Sequence, residues 1–341
     1  MSAKPLRYYR DTYIRSQPST FCVGCGNGTI LNCFVRAIDE LGIPKDNVLC
    51  VSGIGCSAWI PSPNFNGDTL HTTHGRALAF ATGAKVFNSD LVTTVFTGDG
   101  DGAGIGGNHL VHAARRNINI TTILVNNMSY AMTGGQIAPT TQHGETTVTS
   151  PYGNPESPFD LVKLVSAAGA TYVARWSTNN VVELTRSIKE GIENEGFSFI
   201  EVLSQCPTQQ RRIFNIRDVV HRLPRRVLEV IEESTYVRGR PVWENVRYAV
   251  PKGSPDDMKA AIDSMALPEV ESKLVVRFDA GRVVKVVGEE GFDWGTVEAL
   301  ESVERLLGPN EGKMELGVFV REERPEFTES LRGIIRKAGG E

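Results

Sequence analysis

Up to about residue 210, hydrophobic positions fall into two kinds of stretch that alternate along the chain. Residues 47–52 (NVLCVS), 91–96 (LVTTVF), 120–125 (ITTILV) and 197–203 (FSFIEVL) are short apolar runs of strand length. Residues 75–87, 109–116, 160–168 and 180–193 instead space their apolar positions three and four apart, as a helix with one buried face does. This alternation predicts an α/β fold, a parallel sheet with helices on both faces. Ligands in such sheets bind beyond the carboxyl ends of the strands. Polar or glycine-rich loops follow the runs at Gly53, Gly98 and Asn126, so that edge is the expected active-site rim.

The pattern changes after Thr208. Residues 214–233 have amphipathic helical spacing with interspersed basic residues, and KLVVRFDAGRVVKVV reads as two strands around Asp279-Ala280-Gly281. The expected division is a cofactor-binding domain over 1–212 and a C-terminal extension over 213–341, packed on the core or on a partner subunit. There is no repeat and no low-complexity segment.

Composition narrows the classes. The chain has 341 residues, 40% hydrophobic and 22% charged, with a net charge of −4. That suffices for a core without disulfides and argues against nucleic acid as a partner. No apolar stretch approaches the roughly 18 residues of a membrane helix, and the start, MSAKPLRYYRDTY, has no apolar signal core. We therefore expect a cytoplasmic protein with no membrane partner.

The loop Gly98-Asp99-Gly100-Asp101 closes one strand, and Asn126-Asn127 closes the next. A diphosphate is held by a hard divalent cation, and Mg²⁺ takes oxygen ligands with only one or two from carboxylates. Asp99 offers a carboxylate and Asn127 an amide oxygen at neighbouring strand ends. Gly98 and Gly100 allow the backbone close to phosphates, and the next helix adds N–H donors. The arrangement resembles the diphosphate motif of thiamine-dependent enzymes, which implies Mg²⁺ on Asp99, Asn127 and the Ser129 carbonyl, with Asp101 nearby. For residues 102–107, nicotinamide binding is disfavoured because no acidic ribose partner follows at the expected place.

Of six cysteines, four lie in loops: Cys22 and Cys25 in CVGCGNG, Cys56 in GIGCSAW and Cys206 in SQCPTQ. Soft thiolates in that number suit zinc or an iron–sulfur cluster. A zinc ribbon pairs its ligands compactly twice, whereas here one pair is compact and two ligands are scattered. Cys33 and Cys50 lie in helical and strand patterns and read as core.

Taken in order, CxxCGNG, GIGCS, LHTTHGRALAFATG, GDGDGAGIGGNHLVHAARRN, NNMSYAMTGGQ and the later Cys-Pro resemble the β subunit of 2-oxoacid:ferredoxin oxidoreductases, nearest to the 2-oxoglutarate branch. GVFVREERPEF resembles that family's ending. The resemblance implies thiamine diphosphate and Mg²⁺ in this chain and a 4Fe–4S cluster on Cys22, Cys25, Cys56 and Cys206. It implies CoA-dependent oxidative decarboxylation of a 2-oxoacid, or its reverse, with ferredoxin as electron partner. It also implies an α subunit that carries the other half of the cofactor site, in an α2β2 assembly.

Within this frame His71, His74 and Arg76 are the expected contacts to phosphate or substrate, each with a structural alternative as helix cap or ion pair. Ile54, Met132 and Thr133 are expected against the thiazolium ring. Trp59, Pro61 and Phe65 are expected to shield the cluster or line the substrate entry. Pyruvate or another 2-oxoacid remains open as substrate. A non-oxidative thiamine-dependent decarboxylase is the first rival, and a zinc-bearing binding module is the second.

Overall fold

The computed structural model describes residues 4–15, 19–209 and 316–337 in full, and the backbone of four short strands between 236 and 287. Its elements are α1 (Leu6–Tyr13), α2 (Asn27–Glu40), β1 (Val48–Ser52), β2 (Asp68–His71), α3 (Ala77–Phe87), β3 (Val92–Gly98), α4 (Gly107–Arg116), β4 (Ile120–Asn126), α5 (Leu161–Ala168), β5 (Tyr172–Ser177), α6 (Val181–Glu193) and β6 (Phe197–Leu203). Hairpin strands β7 (Tyr236–Val237), β8 (Arg240–Pro241), β9 (Val275–Asp279) and β10 (Val283–Val287) follow, then β11 (Gly317–Arg321) and α7 (Phe327–Lys337).

The main sheet has the order β11-β5-β6-β4-β3-β1-β2. Every pairing from β5 to β2 is parallel. The central strands β4 and β6 are buried at every position, which explains why apolar residues stand on both of their faces. Helices α3, α4 and α5 neighbour one another, and α2 packs with α6. Alternation along β3 feeds both layers. Val95 joins the cluster of Leu78, Leu110 and Ile118, while Phe96 meets Phe34 of α2 edge-to-face, 5.0 Å between ring centres at 86°. Such a pair adds about 0.5–1.5 kcal/mol beyond burial.

Cys33 and Cys50 are fully buried core residues. So is Phe65, which packs on Phe34 at 5.5 Å. It therefore neither shields a cluster nor lines an entry: its ring fills the layer between α2 and the sheet. The alternating pattern is borne out, with β2 and β5 as additional strands. The hairpin in KLVVRFDAGRVVKVV is present as β9 paired antiparallel with β10, Asp279 opposite Val283. The amphipathic stretch 214–233 lies outside the described residues.

The chain forms two compact units. One is Met1–Asn215 with Val318–Glu341, and the other is Ile216–Gly317. In the first, the tail returns to the core. Phe319, Val320 and Phe327 pack on it, and Asn117, in the left-handed conformation that ends α4, donates to the Arg324 and Pro325 carbonyls at 3.2 and 3.4 Å. Among the described residues, no helix is long and apolar enough to cross a membrane.

Candidate active site

Strands β1, β3 and β4 end side by side, and their loops enclose a cleft of about 100 Å³. Its walls include Ile54, Cys56, His74, Gly98, Asp99, Gly100, Asp101, Asn127, Ser129, Met132 and Thr133. Residues 99–105 leave β3 in a wide helical turn, a form often found at functional sites.

Asp99 is 2% exposed, and its Oδ2 accepts from Thr140 Oγ1 at 2.6 Å. Burial pushes its carboxyl up to about 6, since a buried charge without a cation partner is disfavoured. A divalent cation beside Asp99 relieves that cost, so the residue fits a metal ligand. Asn127 accepts from the Ser129 N–H at 3.2 Å, which folds the turn so that Asn127 and Ser129 both line the cleft opposite Asp99. A Cβ on Gly100 would overlap the Tyr130 ring, whose hydroxyl donates to the Gly100 carbonyl at 3.1 Å. Close approach of the backbone is thus built in.

Asp101, two residues on, is engaged differently. Its Oδ1 accepts from the Ile54 N–H at 3.1 Å and the Gly75 N–H at 2.7 Å, and lies 2.7 Å from His74 Nδ1. Its Oδ2 accepts from Thr97 Oγ1 at 2.6 Å. A Cβ on Gly53 would overlap this carboxylate. One buried carboxylate therefore ties together the loops after β1 and β2 and the end of β3. Its side chain is committed to protein groups, so only its backbone is left to meet a ligand.

Asn126 sits behind the cleft in a buried polar chain. Its Nδ2 donates to Glu201 Oε1 at 2.6 Å, and its Oδ1 faces Thr140 Oγ1 at 3.0 Å. Arg175 Nε donates to Glu201 Oε2 at 2.7 Å, and Arg175 Nη2 donates to Asp160 at 2.8 Å.

The cysteine loops meet at the same end of the sheet. Gln205 Nε2 donates to the Gly24 carbonyl at 3.3 Å, and a Cβ on Gly26 would overlap Ser204 Oγ. Burial, then the neighbouring thiols of Cys25, Cys206 and Cys22, push the Cys56 thiol up to about 11. Cys25 is raised likewise, by burial and by Cys206 and Cys22. The causes of these two shifts place Cys22, Cys25, Cys56 and Cys206 near one another. Cys56 also lines the cleft, so the thiol cluster and the Asp99 site share a wall.

Of the three residues of the HTTHGR stretch singled out for catalysis, the fold brings only His74 to the cleft. Its ring is held by Asp101 and meets Tyr130 edge-to-face at 6.3 Å. His71 stands exposed at the end of edge strand β2. Arg76 Nη1 reaches the Ile105 carbonyl at 3.4 Å instead. Asn27, Ser57 and Tyr130 line the cleft without having been singled out. All three stand in motifs given above: Asn27 in CVGCGNG, Ser57 in GIGCSAW and Tyr130 in NNMSYAMTGGQ.

Comparison with known proteins gives the family. The family model of the thiamine pyrophosphate enzyme C-terminal TPP-binding domain matches residues 53–202, so this chain holds a TPP-binding domain. The 2-oxoglutarate synthase subunit KorB of Methanocaldococcus jannaschii is 51% identical over 230 residues, 67% of this chain and 82% of that one. The 2-oxoacid:ferredoxin oxidoreductase subunit beta of a Sulfolobus species is 45% identical over 195 residues, 56% of this chain and 63% of that one. Among solved structures, the 2-oxoglutarate:ferredoxin oxidoreductase from Magnetococcus marinus, with 2-oxoglutarate, coenzyme A and succinyl-CoA bound, superposes with a TM-score of 0.66 at 30% identity, over 97% of this chain and 91% of that one. On that likeness, the chain belongs to the β subunits of the 2-oxoacid:ferredoxin oxidoreductases.

Proposed function

We propose that this subunit holds the diphosphate half of a thiamine diphosphate–Mg²⁺ site and one 4Fe–4S cluster, in an enzyme that converts 2-oxoglutarate and CoA to an acyl-CoA and CO₂, or runs the reverse. Electrons pass through the cluster to ferredoxin. The observation that carries the reading is the shared wall: Asp99, Asn127 and Ser129 line one cleft together with Cys56.

When bound, thiamine diphosphate supplies the carbon nucleophile and electron sink for decarboxylation, and the cluster accepts electrons singly. The chain's own groups position these centres. Asp99, Asn127 and the Ser129 carbonyl hold the cation that neutralises the diphosphate. Gly98 and Gly100 admit the phosphates to the backbone. Ile54, Met132 and Thr133, on the opposite lips, pack the ring. Cys22, Cys25, Cys56 and Cys206 are the cluster ligands. Among the described residues, no three His, Cys, Asp or Glu side chains close on a single ion; a four-iron cluster sets its thiolates wider apart than one zinc does. Asp101 fixes His74 through Nδ1, leaving Nε2 to hold or move a proton in the cleft.

The names of the relatives favour 2-oxoglutarate. Among the described residues lining the cleft there is no Lys or Arg, and the proposal assigns the base that reads the distal carboxylate to the α subunit, in an α2β2 assembly. A cytoplasmic location is part of the proposal.

The test is to purify the chain without oxygen alongside its partner subunit and to measure iron, sulfide and thiamine diphosphate together. About four iron and four sulfide with one thiamine diphosphate per chain is the expected result. A panel of 2-oxoacids with CoA and ferredoxin then ranks 2-oxoglutarate against pyruvate. Thiamine diphosphate without iron points to a non-oxidative decarboxylase, and zinc without thiamine diphosphate removes the enzyme reading.

A further inference from the structure

We propose that Thr140 is a positioning residue of the cation–diphosphate site, aimed at Asp99 by the buried polar chain that runs through Asn126 and Glu201 to Arg175. The proposal rests on the reading of Asp99 as a cation ligand.

The chain has a direction. The Arg175 guanidinium can only donate, and it donates to Glu201 Oε2. Glu201 therefore accepts at both oxygens, and the group of Asn126 that faces Oε1 at 2.6 Å is its NH₂. That fixes the amide: its Oδ1 faces forward, where it already accepts from the Met128 N–H at 3.0 Å. Thr140 has one hydroxyl hydrogen and two acceptors in reach, Asp99 Oδ2 at 2.6 Å and Asn126 Oδ1 at 3.0 Å. The nearer one bears the charge, and the farther one is already served. The hydrogen goes to Asp99 and stops its carboxylate from turning.

Every member is walled off from water. Thr140, Asn126 and Glu201 are each 1% exposed, and Arg175 is 6%. Thr140 cannot drift, because its neighbour Thr141 donates to the Met128 carbonyl at 2.7 Å and accepts from the Ala138 N–H at 2.8 Å. The same contacts hold the loop that carries Asn127 and Ser129. Thr140 thus sets the spacing between the two sides of the cation site. Partners that orient a metal's direct ligands change metal affinity about 10–100-fold when removed.

The test uses the complete complex, stripped of cofactor. Thr140→Val keeps the shape and removes the hydroxyl; Thr140→Ser keeps the hydroxyl. Mg²⁺ is titrated at fixed thiamine diphosphate, and bound cofactor is read by equilibrium dialysis. The Mg²⁺ needed for half-saturation should rise about 10–100-fold in T140V and stay near wild type in T140S, with iron content unchanged in both. If T140V needs no more Mg²⁺ than wild type, or T140S loses as much as T140V, the proposal is overturned. If the valine protein does not assemble, Thr140→Ala takes its place against T140S. Asp99→Asn, run in parallel, separates the two claims. If it leaves the Mg²⁺ requirement unchanged, the cation-ligand reading falls too. If it abolishes binding while T140V does not, the failure is Thr140's alone.

Discussion

Asp99 shows how one residue's burial becomes a pH dependence. Its carboxyl is pushed up to about 6, first by burial, against about 3.9 in an unfolded chain. In the metal-free protein this group favours folding fully below about pH 3.9, and that advantage is lost as pH rises through about 6. A cation reverses the preference, because it needs the charged form. Below pH 6, Mg²⁺ must displace a proton. The Mg²⁺ required to retain thiamine diphosphate should therefore rise about tenfold per pH unit below pH 6 and stay level above about pH 7. Magnesium titrations of the intact complex between about pH 5 and pH 8 check this; a level profile down to pH 5 would mean that no proton competes at Asp99. The neighbouring Asp101 marks where sequence reading stops. GDGD presents two equivalent carboxylates. Both line the cleft, yet one is left as a ligand candidate, while the other accepts from Ile54 and Gly75, 47 and 26 residues away. Nothing local distinguishes them, since the difference lies in which loops the fold brings to each.

Elements buried on both faces were the legible ones. β3, β4 and β6 are apolar-rich runs interrupted by Thr, Ser and Glu201, legible because parallel strands under two helix layers have no wet side. β5, with Arg175 at its centre, escaped. The sheet tolerates that arginine only because Glu201 and Asp160 accept from it, and two partners so distant in sequence leave no local mark. β2 escaped because it is a four-residue edge strand with exposed positions. The cysteine loops were legible as ligands, but their packing was not. Gly26 holds the Cys22–Cys25 loop against the loop after β6, where a Cβ would overlap Ser204 Oγ and stand 2.6 Å from Thr178 Cγ2. Overpacking of this kind costs about 1–3 kcal/mol. Gly26→Ala should thus part Cys25 from Cys206 and lower the iron content to roughly half or less, given that cost, while thiamine diphosphate still binds at Asp99. Iron and cofactor assays on one anaerobic preparation read both. Full iron content in the variant would show that this contact does not set the thiol spacing.

At the scale of the whole molecule, the cleft is too small by itself to enclose thiamine diphosphate. Its volume of about 100 Å³ falls well below the roughly 300–1,000 Å³ of a pocket that encloses a ligand of that size. Apolar side chains stand unsheltered around it: Ile54 is 39% exposed, Met132 42% and Ile105 50%. Val23, between the two paired cysteines, is 98% exposed. Water at this rim would weaken every charge interaction inside the site and admit side reactions. In the proposed half-site reading, the α subunit buries this rim and supplies the other half of the cofactor contacts. Thiamine diphosphate with saturating Mg²⁺ should accordingly bind the isolated chain at least about tenfold more weakly than the reconstituted pair, a difference of about 1.4 kcal/mol or more. Calorimetry on both preparations under the same conditions measures it. Ile105→Glu, which puts a charge at an exposed position to which no cofactor contact is assigned, should weaken pairing and bring the affinity of the mixture down to that of the lone chain. Equal affinity with and without the partner would mean that this chain holds the whole site, and the half-site reading would have to be given up.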